Sequence, residues 1–203
     1  MELDKIKNMP VSHKHKLFFV HIPKNAGTSL TDYLSLEGSL GHHRFDKNQV
    51  PNGYKTFCIV RNPLDRLVSC YEYARMKESH WHSHEGNAMY GPHPDYDTLK
   101  DATFKQCLEL LQAGKLKHQG WIPQWWWIAN DQGNINIDYI IKMENLDEGI
   151  NSMFLDLGLP ELPTIPKTNT SKRKDYNEYF DTETLEIAKN LYSADFKIFN
   201  YEN

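Results

Sequence analysis

Two short apolar runs that each end in a polar turn and pass into helical spacing constrain this chain more than any other feature. Residues 16–22 (KLFFVHI) have the length and the aromatic, β-branched content of a buried strand, and Pro23 closes them. After the turn 23–27 (PKNAG), Leu30, Tyr33 and Leu34 fall on one helical face. The same grammar returns at residues 55–60 (KTFCIV), followed by Arg61, Asn62 and Pro63 and a helix expected through about Met76. Asn62 suits the N-cap there and Pro63 the first helical position. Strands that alternate with helices specify an α/β domain built on a mainly parallel central sheet flanked by helices.

The remaining pattern extends this reading. Residues 80–97 carry Gly86, Gly91, Pro92 and Pro94 with no sustained apolar period, and are expected to form a long functional loop. Phe104, Cys107, Leu108 and Leu111 predict a helix that stops at Gly114. Residues 136–142 read as a strand, and the apolar positions from Leu146 to Leu157 predict a helix ending at Gly158. The basic segment 159–179 reads as a loop, and a final helix is expected from the cap Asp181 to about Phe199.

With 203 residues, 39% of them hydrophobic, the chain is expected to form a single domain over 1–203. A net charge of -4 and a pI near 6.2 argue against a general nucleic-acid binder, so any anion site must be local. Cys58, Cys70 and Cys107 lack paired spacing and read as reduced structural thiols rather than a disulfide framework or metal site. The first sixteen residues are polar and hold no apolar run, from which a cytoplasmic protein without a membrane span is expected.

The turn from Lys24 to Ser29 joins a strand to a helix, where backbone N–H groups and the positive helix end favour an anion. Its lysine precedes the glycine, the reverse of the GxxxxGK[ST] order of nucleoside-triphosphate loops. The bland reading is an ordinary turn with a solvated lysine. Arg61 closes the second strand and Ser69 follows about two helical turns later, so the pair could grip one phosphate through a forked cation and a short hydroxyl. Arg66 reads instead as an ion-pair or packing residue.

These residues carry a resemblance. HIPKNAGTSL followed by FCIVRNPLDRLVSCYEYAR resembles the two cofactor motifs of the sulfotransferase superfamily. PQWWWI, IDYIIKMENLDEGI, NTSKRKDY and LYSADFKIFNY resemble the carbohydrate, heparan sulfate 2-O-sulfotransferase-like members and their bacterial relatives. The resemblance implies a P-loop-kinase-like three-layer fold and 3′-phosphoadenosine 5′-phosphosulfate as sulfuryl donor, with no metal. It assigns the 5′-phosphosulfate end to Lys24, Asn25, Ala26, Gly27, Thr28 and Ser29, the 3′-phosphate to Arg61 and Ser69, and closure of the pocket to Ser171, Lys172 and Arg173. The acceptor it implies is a hydroxyl, on a glycan.

Sulfuryl transfer needs a base for the acceptor hydroxyl and a cation for the departing phosphate. Lys24 suits the second role. Gly41-His42-His43-Arg44-Phe45 is similar to the GHxxF segment of heparan sulfate 2-O-sulfotransferase, in which the histidine is implicated as base, so the role passes to His42. Those enzymes carry a further histidine where this chain has Leu40, and His43 stays open as the alternative. The alternating His80, His82 and His84 suggest metal binding only weakly, since alternation fixes no coordination geometry. Trp81, Tyr90 and Tyr96 could stack on a sugar, while Trp125, Trp126 and Trp127 read mostly as core. The competing functions are a small nucleotide-dependent kinase and a non-catalytic nucleotide-binding module.

Overall fold

A computed structural model describes residues 10–38, 40–77, 93–165 and 173–202. The chain divides into two compact units, one within 1–62 and 123–170 and the other within 63–122 and 171–203.

The first unit holds the sheet. Strands β1 (Val11–Ser12), β2 (Leu17–Val20), β3 (Lys55–Val60) and β4 (Tyr139–Lys142) lie side by side in that order. β1 runs antiparallel to β2, while β2, β3 and β4 are parallel, with Phe19 opposite Phe57 and Cys58 opposite Ile140. The sheet is therefore mostly parallel, as expected, with an antiparallel edge of two residues too short to leave a periodic trace. The third predicted strand is shorter than 136–142. Asp138 ends the approach to it by accepting hydrogen bonds from the backbone N–H and hydroxyl of Thr56 and from Lys55. That clamp sets the register of β4 on β3.

Alternate strand residues point to one face. Leu17, Phe19, Phe57, Ile59 and Ile141 form a core with Leu30 and Leu34 of α1 (Gly27–Tyr33) and with Ile150, Met153 and Phe154 of α6 (Leu146–Asp156). Gly158 follows α6 with φ +66, the left-handed conformation that ends helices at low cost for glycine. Between β3 and β4 the unit also contains α5 (Gln124–Ile128), which periodicity had not announced. Successive helical residues are about 100° apart, so α5 buries Trp127 to 1% exposure and leaves Trp125 and Trp126 half-buried. Of three consecutive tryptophans, one is core.

The second unit is helical. Its core joins Leu67, Val68 and Tyr71 of α2 (Pro63–Ala74) to Phe104, Cys107 and Leu108 of α4 (Phe104–Gln112) and to Ala188, Tyr192 and Phe196. Thr103 and Gln106 form a reciprocal capping box on α4, and Gly114 ends it at φ +64. The final helix starts after Asp181 as predicted, but it is two helices, α7 (Thr182–Leu191) and α8 (Ser193–Ile198). The break falls at Tyr192, whose buried hydroxyl donates to the Trp121 carbonyl at 2.8 Å. Residues 93–97, expected in a loop, enter α3 (Tyr96–Leu99). Asp95 there is 2% exposed and accepts from the Lys117 and His118 N–H groups and from Trp121 Nε1. Burial alone would raise its carboxyl pKa, but those three donors and neighbouring His93 outweigh it and hold the pKa below the usual value. Arg66 is 1% exposed and donates through Nη2 to the Gly120 carbonyl, so its role is packing rather than anion binding. All three cysteines are buried thiols, and burial pushes Cys107 up to about 12. Among the described residues no helix is long and apolar enough to cross a membrane.

Candidate functional site

β2 and β3 are parallel neighbours, so the segments that follow Val20 and Val60 leave the same edge of the sheet. Ligands of open α/β sheets bind at that edge, beyond the carboxyl ends of the strands. The two motifs read from the sequence are those segments.

In the first, Lys24 and Ala26 adopt left-handed backbone conformations, with φ +70 and +56. Non-glycine residues there store of order 1 kcal/mol each. The glycine serves another purpose. A Cβ at Gly27 would stand 2.1 Å from His21 Nε2, so glycine is needed for space rather than for φ. α1 begins at Gly27 with no side chain capping it, and Thr28 is exposed while Ser29 is half-buried. With seven residues α1 has a weak macrodipole.

His21, not singled out in the sequence, underlies this loop. Its Nδ1–H donates to the Leu40 carbonyl at 2.8 Å, and its ring stacks on Phe19 at 5.4 Å. Burial pulls its pKa down to about 4, with the Lys24 charge adding to the fall and the Leu40 bond opposing it. His21 is therefore neutral near pH 7. Leu40 supplies a backbone oxygen to this ring. In the sequence His21 appears within the apolar run 16–22 and as the first residue of HIPKNAGTSL, with nothing to mark its own role.

His42 packs on His21 with ring centroids 4.4 Å apart, and its Nδ1 lies 3.4 Å from the His21 carbonyl oxygen. A proton on Nδ1 serves that bond and puts the lone pair of the neutral ring on Nε2. The His42 ring also meets Trp127 edge to face, with centroids 6.1 Å apart. His43 is exposed. The segment is pinned by Arg44, which donates to the carbonyls of Trp126, Ala129 and Asn130 and pairs with Asp131 at 2.8 Å. Phe45 N–H adds a bond to the Trp127 carbonyl.

The second motif joins the first through Arg61 and Gln124. Arg61 Nη1 reaches within 3.4 Å of the Lys24 carbonyl oxygen. Gln124, fully buried, accepts from the Arg61 N–H at 2.9 Å and donates to the Arg61 carbonyl at 2.8 Å. The same Gln124 Oε1 accepts from Asn25 Nδ2 at 2.7 Å, and Asn25 Nδ2 also donates to the Ile59 carbonyl. Asn25 thus faces into the protein. Gln124 left no signal in spacing or period, and lies in a segment noted only for its resemblance.

Ser69 belongs to the second unit, half-buried on α2. Asp65, one turn earlier on the same helix face, pairs with Arg173. Of the three residues expected to close the pocket, Arg173 is thus held beside the face that carries Ser69, while Ser171 and Lys172 lie outside the described residues. So do His80, His82, His84, Trp81 and Tyr90. Tyr96 is half-buried, with the Lys100 ammonium 5.8 Å from its ring.

A family model described as the sulfotransferase family matches residues 7–202. No curated protein and no solved structure matches the chain.

Proposed function

Because the chain belongs to the sulfotransferase family, we propose that it moves the sulfuryl group of 3′-phosphoadenosine 5′-phosphosulfate onto a hydroxyl of a carbohydrate. The observation that carries this is the meeting of Arg61 with the Lys24 loop at the carboxyl ends of two adjacent parallel strands, Nη1 to carbonyl oxygen at 3.4 Å. Two cations and the uncapped first turn of α1 make a donor set suited to a multiply charged phosphate ester. Lys24 and the 25–29 backbone take the 5′ end. Arg61 takes the 3′-phosphate.

His42 is the base of this reading, with His43 as the alternative. As the acceptor oxygen attacks sulfur, its proton passes to Nε2 of His42 and the bond from sulfur to the 5′-phosphate oxygen breaks. The charge left on that phosphate faces Lys24 and the α1 N–H groups. Neutral His21 holds His42 through its carbonyl without competing for the proton near pH 7. Residues 80–97 are assigned to acceptor binding.

Calorimetric titration of metal-free protein with 3′-phosphoadenosine 5′-phosphate tests the donor, with ATP and magnesium as comparison. Micromolar or tighter binding of the bisphosphate supports the reading. Binding of ATP with magnesium alone overturns it in favour of a kinase.

A further inference from the structure

At Gln124 three chain segments of the site converge: the Lys24–Ser29 loop through Asn25, the segment after β3 through Arg61, and α5 through its own backbone. A glutamine side chain offers one acceptor oxygen and two donor hydrogens. Here the oxygen accepts from Asn25 Nδ2 and from the Arg61 N–H, and the nitrogen donates to the Arg61 carbonyl. Arg61 is therefore gripped at N–H and C=O together, which fixes the backbone from which its guanidinium projects. Asn25 Oδ1 is buried without a hydrogen-bond partner, so the polar hold on that side chain comes through Nδ2, shared between Ile59 and Gln124. Removing Gln124 would leave the part-buried Arg61 N–H and C=O without these partners, while Asn25 Nδ2 keeps its bond to the Ile59 carbonyl.

We propose that Gln124 is a positioning residue that sets the distance between the Arg61 guanidinium and the Lys24 loop, and so makes the site selective for a nucleotide phosphorylated at both 3′ and 5′ positions over one phosphorylated at 5′ alone. The inference rests on the functional reading above. Gln124 touches no ligand in this scheme; it acts by holding one anion-binding group at a set separation from the other. A ligand with a single phosphate does not sense that separation, whereas a bisphosphate does.

The test compares 3′-phosphoadenosine 5′-phosphate with adenosine 5′-phosphate by calorimetry on the parent, on Gln124→Met and on Gln124→Glu. Methionine keeps the volume and removes every hydrogen bond. It is expected to weaken the bisphosphate about tenfold or more while changing the monophosphate less than about threefold. Equal weakening of both ligands, or of neither, overturns the proposal. Gln124→Glu supplies a second reading if methionine prevents folding. A buried carboxyl is protonated as pH falls and can then donate to the Arg61 carbonyl as the amide does. Selectivity in this variant is expected to recover toward the parent value between about pH 7 and pH 5, with the parent measured alongside to remove the ligand's own titration. A pH profile parallel to the parent's, without recovery, overturns the proposal. A parent that shows no preference for the bisphosphate refutes the assignment of the site itself, an outcome read before any variant is made.

Discussion

Gly27→Ala is the sharpest probe of how the first motif is built. The added Cβ would stand 2.1 Å from His21 Nε2, 2.5 Å from Cε1 and 2.7 Å from Cδ2, all inside van der Waals contact. The ring cannot yield cheaply, because Leu40 holds its Nδ1 at 2.8 Å and Phe19 and His42 hold its faces. Overpacking of this kind costs about 1–3 kcal/mol, and losing the Leu40 bond adds roughly 1 kcal/mol. Alanine recovers less than about 1 kcal/mol through helix propensity. The net loss is therefore about 1–3 kcal/mol, or roughly 3–10 °C in Tm for a chain of this size. Thermal melts of the parent, Gly27→Ala, His21→Ala and the double variant close a cycle. The double variant should be more stable than the sum of the single effects by about 1–3 kcal/mol, since removing the ring removes the clash. A Gly27→Ala protein that melts at or above the parent, or a cycle with zero coupling, would refute the packing argument.

Other outcomes follow from the same contacts. His42→Ala should abolish turnover, by about 100-fold or more, while 3′-phosphoadenosine 5′-phosphate binds within a few-fold of the parent; the reverse pattern in His43→Ala would hand that residue the base. His21 has a folded pKa near 4 against about 6.5 unfolded, so between those values the unfolded chain holds a proton that the folded one lacks. Its contribution is complete above pH 6.5 and is lost as pH falls toward 4, up to about 3 kcal/mol, and His21→Asn should show a smaller drop in urea midpoint from pH 7 to pH 5. Asp138→Ala releases Lys55 and both Thr56 donors, and should cost about 1–3 kcal/mol in chemical denaturation without altering the second unit's helical signal. Tyr192→Phe should cost about 1 kcal/mol through the lost bond to the Trp121 carbonyl, and an unchanged Tm would show that bond to be neutral.

What the sequence determined by itself were the features that local physics imposes. The apolar run 56–60 read as a buried strand and is one, and the helix stops at Gly114 and Gly158 follow from the low cost of left-handed glycine. Strand followed by polar turn and helix specified a mainly parallel sheet and put Lys24 and Arg61 each just after a strand, while the pairing of β2 with β3 set both at one edge. The tertiary structure decided what depends on partners distant in the chain. Gly27 is there because His21 needs the space, and Leu40, nineteen residues from that ring, fixes its tautomer. Gln124 lies 63 residues from Arg61 and 99 from Asn25, and no period or motif spacing encodes those hydrogen bonds. At Tyr192 the helical pattern continues in the sequence, yet the helix breaks at a residue whose buried hydroxyl is bound to Trp121, 71 residues away. A local pattern carries propensity and amphipathicity, whereas satisfaction of a buried polar group is settled only when chain segments meet.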